Sequence, residues 1–162
     1  MATLTNLRPC LWFNDQAEEA AALYCSVFPN SKITNVTRFG HAGEEIHGHK
    51  AGSVMTVEFL LDGHAFTGLN GGPMFKFSEA VSFMIDCRDQ AEVDYYTGRL
   101  NGGGEINCGW LKDKFGVSWQ VVPTRLAELL ADKDRAAAER VMSAMLEMGK
   151  LDIAKLEEAY YG

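Results

Sequence analysis

The sequence predicts an α+β fold, in which paired βαβββ modules form a cupped mixed or antiparallel sheet and a C-terminal helical extension follows. The tetrapeptide Asp-Gln-Ala-Glu occurs at 15–18 and again at 89–92, each time just after an apolar strand, which indicates a duplicated module. Hairpin signals join most strands and disfavour a single large parallel sheet. One module has too few strands to bury both faces of its sheet, so pairing would supply a shared core.

The first module is predicted to span about residues 7–72. A short apolar strand at 7–13 precedes a helix, and Asp15 is expected to cap that helix with Glu18 at the capping-box position. Three further strands complete the module, at 33–39, 53–61 and 64–70, with a glycine-rich loop at 40–52. The dipeptide Asp62-Gly63 predicts a tight hairpin turn between the last two strands.

The second module is predicted to span about residues 79–123. An apolar strand at 80–87 is followed by a helix that Asp89 caps, with Glu92 three residues later. The glycine run at 102–104 ends this helix. Two strands close the module, at 110–112 and 117–122, so residues 1–123 are predicted to form one domain of two modules.

Residues 124–162 are predicted to form a helical extension with up to three amphipathic helices. Leu126, Leu129 and Leu130 mark the first helix, and Asp134 and Asp152 are expected to cap the other two. The second helix is expected to turn its apolar residues inward: Ala138, Val141, Met142, Met145 and Leu146. Such helices need an apolar surface to cover, which would be the outer face of the sheet or a partner subunit.

Composition and charge exclude several classes of protein. The chain has 162 residues, of which 47% are hydrophobic and 23% charged, so most of it is not disordered. The net charge is −7 without a basic cluster, so neither nucleic acid nor a membrane is an expected partner. No signal segment is visible, and Cys10, Cys25, Cys87 and Cys108 include no C-x-x-C pair. We therefore expect a cytoplasmic protein with buried, reduced thiols.

Several long motifs together resemble one known family. They are Pro9-Cys10-Leu11-Trp12-Phe13, Leu69-Asn70-Gly71-Gly72-Pro73, Phe75-Lys76-Phe77, Glu79-Ala80-Val81-Ser82, Cys108-Gly109-Trp110-Leu111-Lys112-Asp113, Phe115-Gly116-Val117-Ser118-Trp119-Gln120 and Lys150-Leu151-Asp152-Ile153-Ala154. The chain resembles the PhnB-like branch of the vicinal oxygen chelate (glyoxalase/bleomycin resistance/dioxygenase) superfamily, a branch also described as a 3-demethylubiquinone-9 3-methyltransferase domain. This resemblance covers nearly the whole chain. It implies a glyoxalase-like domain of paired βαβββ modules with a pocket, often as a homodimer.

The resemblance also bears on metal binding and cofactors. Metal-using members of the superfamily take His, Gln and Glu ligands from four strands, and the corresponding positions fall near Arg8, Gly68, Ala80 and Gln120. Only Gln120 is a plausible ligand, because arginine is a cation and glycine and alanine carry no side-chain donor atom. One amide oxygen does not make a divalent-metal site, so we expect no metal and no cofactor. No glycine-rich turn between a strand and a helix supports binding of a methyl donor.

The expected pocket residues each have a structural alternative. Asn70 would point its amide into the pocket or cap the amides of its own turn. Ser118 and Gln120 share one face of the last strand, which would be the pocket face if Trp119 lies in the core. A structural amide is an equally normal role for Gln120. Trp12 would line the pocket or simply pack.

Two charged residues complete the predicted site. Arg8 would lie on the strand face of Trp12, and a buried guanidinium there needs an anionic partner. Glu58 or Glu79 would supply it from the protein, or an anionic ligand from outside. Glu79 is a weak catalytic candidate, since it can act as a base only if burial raises its pKa.

The leading functional hypothesis is a small-molecule-binding protein without a complete metal site, whose ligand is anionic if Arg8 serves it. One alternative is a metal-dependent enzyme of the glyoxalase/dioxygenase type, with ligands drawn from Glu79, Gln120 and the histidines at 41–49. Those histidines are otherwise expected to belong to a lid or a surface loop. The other alternative is a non-catalytic homodimer that uses its helices as an interaction surface. Whether the protein catalyses a reaction stays open at this point.

The first testable prediction concerns metal content. We expect the purified protein to hold far less than one equivalent of zinc, nickel, manganese or iron, because three of the four expected ligand positions have no donor atom suited to a metal. Elemental analysis of protein prepared without a chelator measures this content. A stoichiometric metal would contradict the prediction and direct attention to the histidine loop at 41–49.

Overall fold

The computed structural model describes residues 7–162 and divides the chain into two compact units, Met1–Lys76 and Phe77–Gly162. Each unit contains one mixed sheet, with four strands in the first and three in the second. The predicted α+β class is confirmed. The predicted boundaries of the modules and of the helical extension stay predictions.

The first unit is a βαβββ module with one additional short helix. Its elements are β1 (Cys10–Phe13), α1 (Ala17–Val27), β2 (Lys32–Arg38), α2 (Glu44–His47), β3 (Val54–Leu61) and β4 (His64–Asn70). The strand order is β1-β4-β3-β2, with β1 parallel to β4 and the other pairs antiparallel. Helix α2 is a single turn within the glycine-rich segment that was predicted to be a loop.

Helix α1 packs on one face of this sheet through its small side chains. Ala17, Ala20 and Ala21 are fully buried, which lets the helix backbone approach the strands closely. Gly68 on β4 lies directly beneath Ala17, and a Cβ atom on Gly68 would stand 3.1 Å from that of Ala17. The larger buried residues of the unit complete this core: Phe13, Tyr24, Val57, Phe59 and Leu61.

The N-terminus of α1 is capped from a distant part of the chain. Asn70 Oδ1 accepts a hydrogen bond from the Ala17 backbone N–H at 2.8 Å, and Asn70 Nδ2 donates to the Val54 carbonyl at 3.1 Å. The expected Asp15 cap is wrong, because Gln16 occupies the N-cap position and its side chain makes no capping hydrogen bond. The buried Asn70 amide at the end of β4 therefore caps α1 in place of Asp15.

The predicted turn between β3 and β4 is confirmed. Asp62 and Gly63 both adopt positive φ, at 46° and 80°, which is the backbone geometry of a type I′ turn. This turn matches the twist of the two strands it joins and fixes their pairing, so that Leu61 lies opposite His64.

The second unit begins as a βαββ module, with the three strands that the sequence predicted, and continues into three helices. Its elements are β5 (Phe83–Cys87), α3 (Gln90–Leu100), β6 (Trp110–Lys112), β7 (Ser118–Pro123), α4 (Thr124–Leu130), α5 (Arg135–Leu146) and α6 (Ile153–Tyr161). The strand order is β5-β7-β6, with β5 parallel and β6 antiparallel to β7. The segment between α3 and β6 forms turns and one isolated bridge.

The predicted caps of the helices in this unit are confirmed. Asp89 accepts a hydrogen bond from the Glu92 N–H at the start of α3. Glu92 reaches back one residue further than a capping box requires and accepts from the Arg88 N–H at 2.8 Å. Asp134 and Asp152 likewise cap α5 and α6 through their side chains.

The three C-terminal helices share a small core of their own, formed by Leu126, Leu129, Val141, Leu151 and Leu156. Met142 and Leu146 were expected to face inward, but their exposed fractions are 41% and 64%. The buried stripe of α5 is narrower than predicted because it consists of Ala137, Ala138 and Val141.

Asn70 provides the first test of the structure. We expect Asn70→Ala to lower the free energy of unfolding by about 2 to 3 kcal/mol, since it removes the cap of α1 and leaves the Val54 carbonyl without its donor. Asp15→Ala is the matched control and should change stability by less than about 0.5 kcal/mol. Chemical denaturation of both variants measures the difference. A larger loss for Asp15→Ala would contradict the capping arrangement.

Candidate functional site

The two faces of the second sheet differ in character. Trp119 and Val121 of β7 are 3% and 1% exposed and lie in the core, which settles the face that the sequence left open. Ser118 and Gln120 alternate onto the opposite face. On that face Ser118 lies opposite Lys112 of β6, and Gln120 lies opposite Trp110. The register of the β6–β7 hairpin thus places one polar pair beside one pair of an amide and an aromatic ring.

A cavity of about 420 Å³ opens beside these strands. Its lining includes six side chains able to contact a ligand: Glu79, Glu105, Asn107, Trp110, Lys112 and Ser118. The volume lies within the range of about 300 to 1,000 Å³ that is usual for small-molecule sites. Two predicted site residues, Glu79 and Ser118, are therefore brought together, although 39 positions separate them in the sequence.

Ser118 is the most unusual group in this lining. Its side chain is 2% exposed, and its hydroxyl has no hydrogen-bond partner among the described residues. A buried hydroxyl without a partner costs about 1 to 3 kcal/mol relative to one that is hydrogen-bonded. Because Ser118 lines the cavity, a molecule bound there can supply the missing partner.

Glu79 and Lys112 form an ion pair at the cavity. The side chains are 60% and 51% exposed, so both remain accessible to solvent. The hydrogen bond from Lys112, together with a backbone hydrogen bond and the Lys112 charge, lowers the pKa of the Glu79 carboxyl. A general base requires a raised pKa, so the lowered pKa of Glu79 argues against a role as a catalytic base.

Glycine at position 102 allows the loop before β6 to close one side of the cavity. The Gly102 N–H donates to the Lys112 carbonyl at 2.9 Å. A Cβ atom at Gly102 would lie 2.6 Å from the Lys114 backbone nitrogen, closer than real contacts allow. Asn107 and Trp110 then exchange two backbone hydrogen bonds, which hold the end of the loop against β6. These contacts position Glu105 and Asn107 in the lining.

Asp113 organises the β6–β7 hairpin, and the sequence interpretation missed it. Its carboxylate is buried, and one oxygen accepts from the N–H groups of Phe115 and Val117 at 2.9 and 3.0 Å. The other oxygen accepts from the Trp119 indole N–H at 2.9 Å. An Asp that begins a four-residue turn ending in Gly116 is a turn signal, and this signal could have indicated the role of Asp113.

Gln120 adopts the structural alternative that the sequence left open. Its Nε2 donates to the Ser82 hydroxyl at 2.8 Å, in a half-buried position between Met84 and Trp110. It borders the cavity face of the sheet without lining the cavity. Its role as a ligand-binding residue stays a prediction.

The three other predicted site residues lie in the first unit, and each has a partner within the protein. Arg8 pairs with Glu58 at 2.9 Å, is 52% exposed, and precedes the first residue of β1. Trp12 donates its indole N–H to the Gly72 carbonyl at 2.9 Å and makes an edge contact with Phe75. Asn70 has both polar atoms engaged as the cap described above. These contacts favour structural roles for all three.

The histidine loop forms an aromatic stack. The rings of Phe39, His47 and His49 contact one another, with centroid distances of 4.6 Å from Phe39 to His47, 4.4 Å from Phe39 to His49 and 5.7 Å between the two histidines. The His49 backbone N–H donates to His47 Nδ1 at 3.0 Å. Within residues 7–162 no group of three or more His, Cys, Asp or Glu side chains is arranged to hold a metal ion. The absence of a metal remains a prediction for elemental analysis.

The four cysteines are free thiols, as predicted, but they are not all buried. Cys10 is exposed, Cys25 and Cys108 are partly buried, and Cys87 is buried. Burial, together with the charges of Glu92, Asp86 and Asp89, raises the pKa of the Cys87 thiol to about 12, so this thiol stays protonated at neutral pH.

Comparison with known proteins gives the family. Residues 5–122 match the family described as 3-demethylubiquinone-9 3-methyltransferase. Among solved structures, a PhnB protein from Bacillus cereus is 28% identical with a TM-score of 0.64, over 74% of this chain and 100% of that one. The protein PA1353 from Pseudomonas aeruginosa is 18% identical with a TM-score of 0.56, over 74% of this chain and 97% of that one. No curated protein matches the sequence.

The chain therefore belongs to the 3-demethylubiquinone-9 3-methyltransferase family, since the match covers well over half of its length. The predicted membership of the PhnB-like branch of the vicinal oxygen chelate superfamily is confirmed. These similarities establish the fold and the family, and the chemistry of the site has to be argued from its residues.

The ion pair at the cavity gives a second test. We expect the Glu79 carboxyl to titrate below its ordinary pKa in the folded protein and Lys112→Met to raise that pKa towards the ordinary value. The pair is intact at neutral pH and is lost as the pH falls through the lowered pKa. Side-chain carboxyl NMR measures the titration, with Lys155→Met as a control outside the cavity. An unchanged Glu79 titration in Lys112→Met would contradict the pairing.

Proposed function

We propose that this PhnB-like protein binds a small organic molecule in the cavity of its second unit and that no metal ion takes part. The observation that carries the proposal is Ser118, a residue of the cavity lining whose buried hydroxyl has no partner among the described residues. Folded proteins rarely leave such a group without a hydrogen bond unless the group serves a function or bonds to an ordered water. A ligand that bonds to Ser118 recovers this free energy when it binds.

The rest of the lining suits recognition of an organic ligand. Trp110 is half-buried and presents an aromatic surface, which supplies apolar contact area and a stacking platform. Asn107 adds an amide group at the same cavity. A few polar groups placed around an apolar surface are typical of small-molecule sites.

Binding is favoured over catalysis by the character of the charged residues. Glu79 has a lowered pKa and is paired, so it is a poor base. The metal-dependent alternative needs a ligand set, and within residues 7–162 no group of three or more His, Cys, Asp or Glu side chains is arranged as one. The histidine loop lies in the first unit and stacks on Phe39. No observation therefore favours a glyoxalase or dioxygenase reaction over binding.

The family description refers to methyl transfer, but the proposal does not include it. The connection from β1 to α1 is Asn14-Asp15-Gln16, and that from β5 to α3 is Arg88-Asp89. Neither connection contains glycine, so neither offers the close backbone approach that a nucleotide-like methyl donor takes in glycine-rich strand-to-helix turns.

Assembly and location stay predictions. We keep the expectation of a cytoplasmic homodimer that binds neither nucleic acid nor membranes. In the described residues, none of the helices has the length and apolar character needed to span a bilayer. Met142, Leu146 and Tyr161 expose large apolar surface on the C-terminal helices, which is compatible with the third hypothesis of an interaction surface.

Ser118→Ala tests the proposed binding site. We expect this variant to be as stable as the native protein or up to about 1 kcal/mol more stable, because it removes an unsatisfied buried hydroxyl. Fragments that bind the native cavity should bind the variant about fivefold more weakly, since a lost hydrogen bond costs about 1 kcal/mol. Saturation-transfer NMR with a library of small aromatic and heterocyclic fragments, followed by titration, measures binding, and thermal unfolding measures stability.

Ser53→Ala is the matched control, because Ser53 belongs to the first unit and its hydroxyl donates to the Lys50 carbonyl at 2.6 Å. Trp110→Ala serves as a second cavity variant and should abolish stacking with the same fragments. The proposal is contradicted if no fragment binds the native protein, or if binding is equal in native protein, Ser118→Ala and Trp110→Ala.

A further inference from the structure

We propose that the cavity of the second unit selects a planar organic cation and disfavours anions. This inference rests on the proposed function and adds the charge and shape of the ligand. It departs from the anionic ligand that Arg8 suggested in the sequence, because Arg8 lies in the other unit and is already paired with Glu58.

The charged side chains of the cavity lining favour a cationic ligand. The ionisable side chains of the cavity are two carboxylates, Glu79 and Glu105, and one ammonium group, Lys112. Lys112 is held by Glu79, so its positive charge is compensated within the protein. The described residues include no ion pair for Glu105. The lining thus carries one carboxylate more than its cation balances, and a cationic ligand compensates it.

Trp110 favours a ligand that is both flat and positively charged. The face of an indole ring is the negative region of its quadrupole, and tryptophan binds cations over this face better than phenylalanine or tyrosine does. A flat ligand stacks on the same face and buries apolar area there. Planarity and positive charge are therefore favoured by one side chain together.

The Ser118 hydroxyl favours a ligand that has hydrogen-bond donors. It is buried, unpartnered and part of the same lining, which makes the cavity a site with a specific polar requirement rather than a set of surface carboxylates. A hydroxyl oxygen accepts hydrogen bonds, and a planar amidinium or guanidinium group has N–H donors in its own plane. Such a group can donate to Ser118 while its plane stacks on Trp110.

Three probes of nearly the same size and shape separate charge from shape: benzamidinium, benzamide and benzoate. At neutral pH and low salt we expect the native protein to bind benzamidinium most tightly, benzamide about fivefold more weakly, and benzoate more weakly still. Added salt should reduce the difference between benzamidinium and benzamide, because an open cavity is screened by mobile ions. Isothermal titration or ligand-observed NMR measures each affinity.

Two charge-removing variants test the assignment of residues. Glu105→Gln should weaken benzamidinium about fivefold and leave benzamide unchanged. Glu79→Gln frees Lys112 and should strengthen benzoate about fivefold. Glu45→Gln is the matched control, since Glu45 is an exposed residue of the first unit. Circular dichroism and thermal unfolding verify that each variant is folded.

The outcomes separate this inference from the proposed function. Benzoate binding as tightly as benzamidinium, or equal effects of Glu105→Gln and Glu45→Gln, would overturn the charge preference while cavity binding survived. Fragments that bind the cavity when none of the three probes does would also overturn the inference alone. If neither the fragments nor the probes bind, both proposals fail.

Discussion

The buried carboxylate of Asp113 is the constraint on which the second unit depends. It accepts three hydrogen bonds, from two backbone N–H groups of its own turn and from the Trp119 indole. These bonds fix the β6–β7 register, which sets Ser118 opposite Lys112 and Gln120 opposite Trp110. A slip of one residue would turn Trp119 out of the core and Ser118 away from the cavity. The hairpin turn that begins at Asp113 therefore sets the geometry of the candidate site, although Asp113 itself does not line the cavity.

The first unit uses buried polar groups in a similar way. Asn70 joins the end of β4 to the start of α1 and to β3, while Trp12 holds the turn after β4 through the Gly72 carbonyl. Gly71 is required there, because a Cβ atom at that position would lie 2.3 Å from the Trp12 ring. A polar or aromatic residue next to glycines resembles a binding motif in sequence, but here it fastens a strand, a helix and a turn together.

The cavity differs from these structural networks in being incomplete. Asn70 has both polar atoms of its side chain in hydrogen bonds, and Asp113 has both carboxylate oxygens in them, whereas the Ser118 hydroxyl has no described partner. A fold retains such a group at a cost in stability, and sites of binding are where that cost is usually found. The carboxylate of Glu105, which has no ion pair among the described residues, and the half-buried ring of Trp110 border the same cavity. Their coincidence in one cavity supports a ligand more strongly than any one of them would.

The sequence by itself determined every strand, every helix except the single turn of α2, the order of these elements, most of the helix caps and the family. Those features depend on local patterns such as alternation, turn dipeptides and Asp at helix starts, which act over a few residues. Tertiary structure alone decided which polar residues were already engaged. Asn70, which lies 53 positions from Ala17 in the sequence, caps α1 in place of Asp15. Arg8 forms an ion pair with Glu58, and Glu79 forms one with Lys112. A hydrogen bond or an ion pair requires two groups within about 3 to 4 Å, and only the folded chain sets that distance.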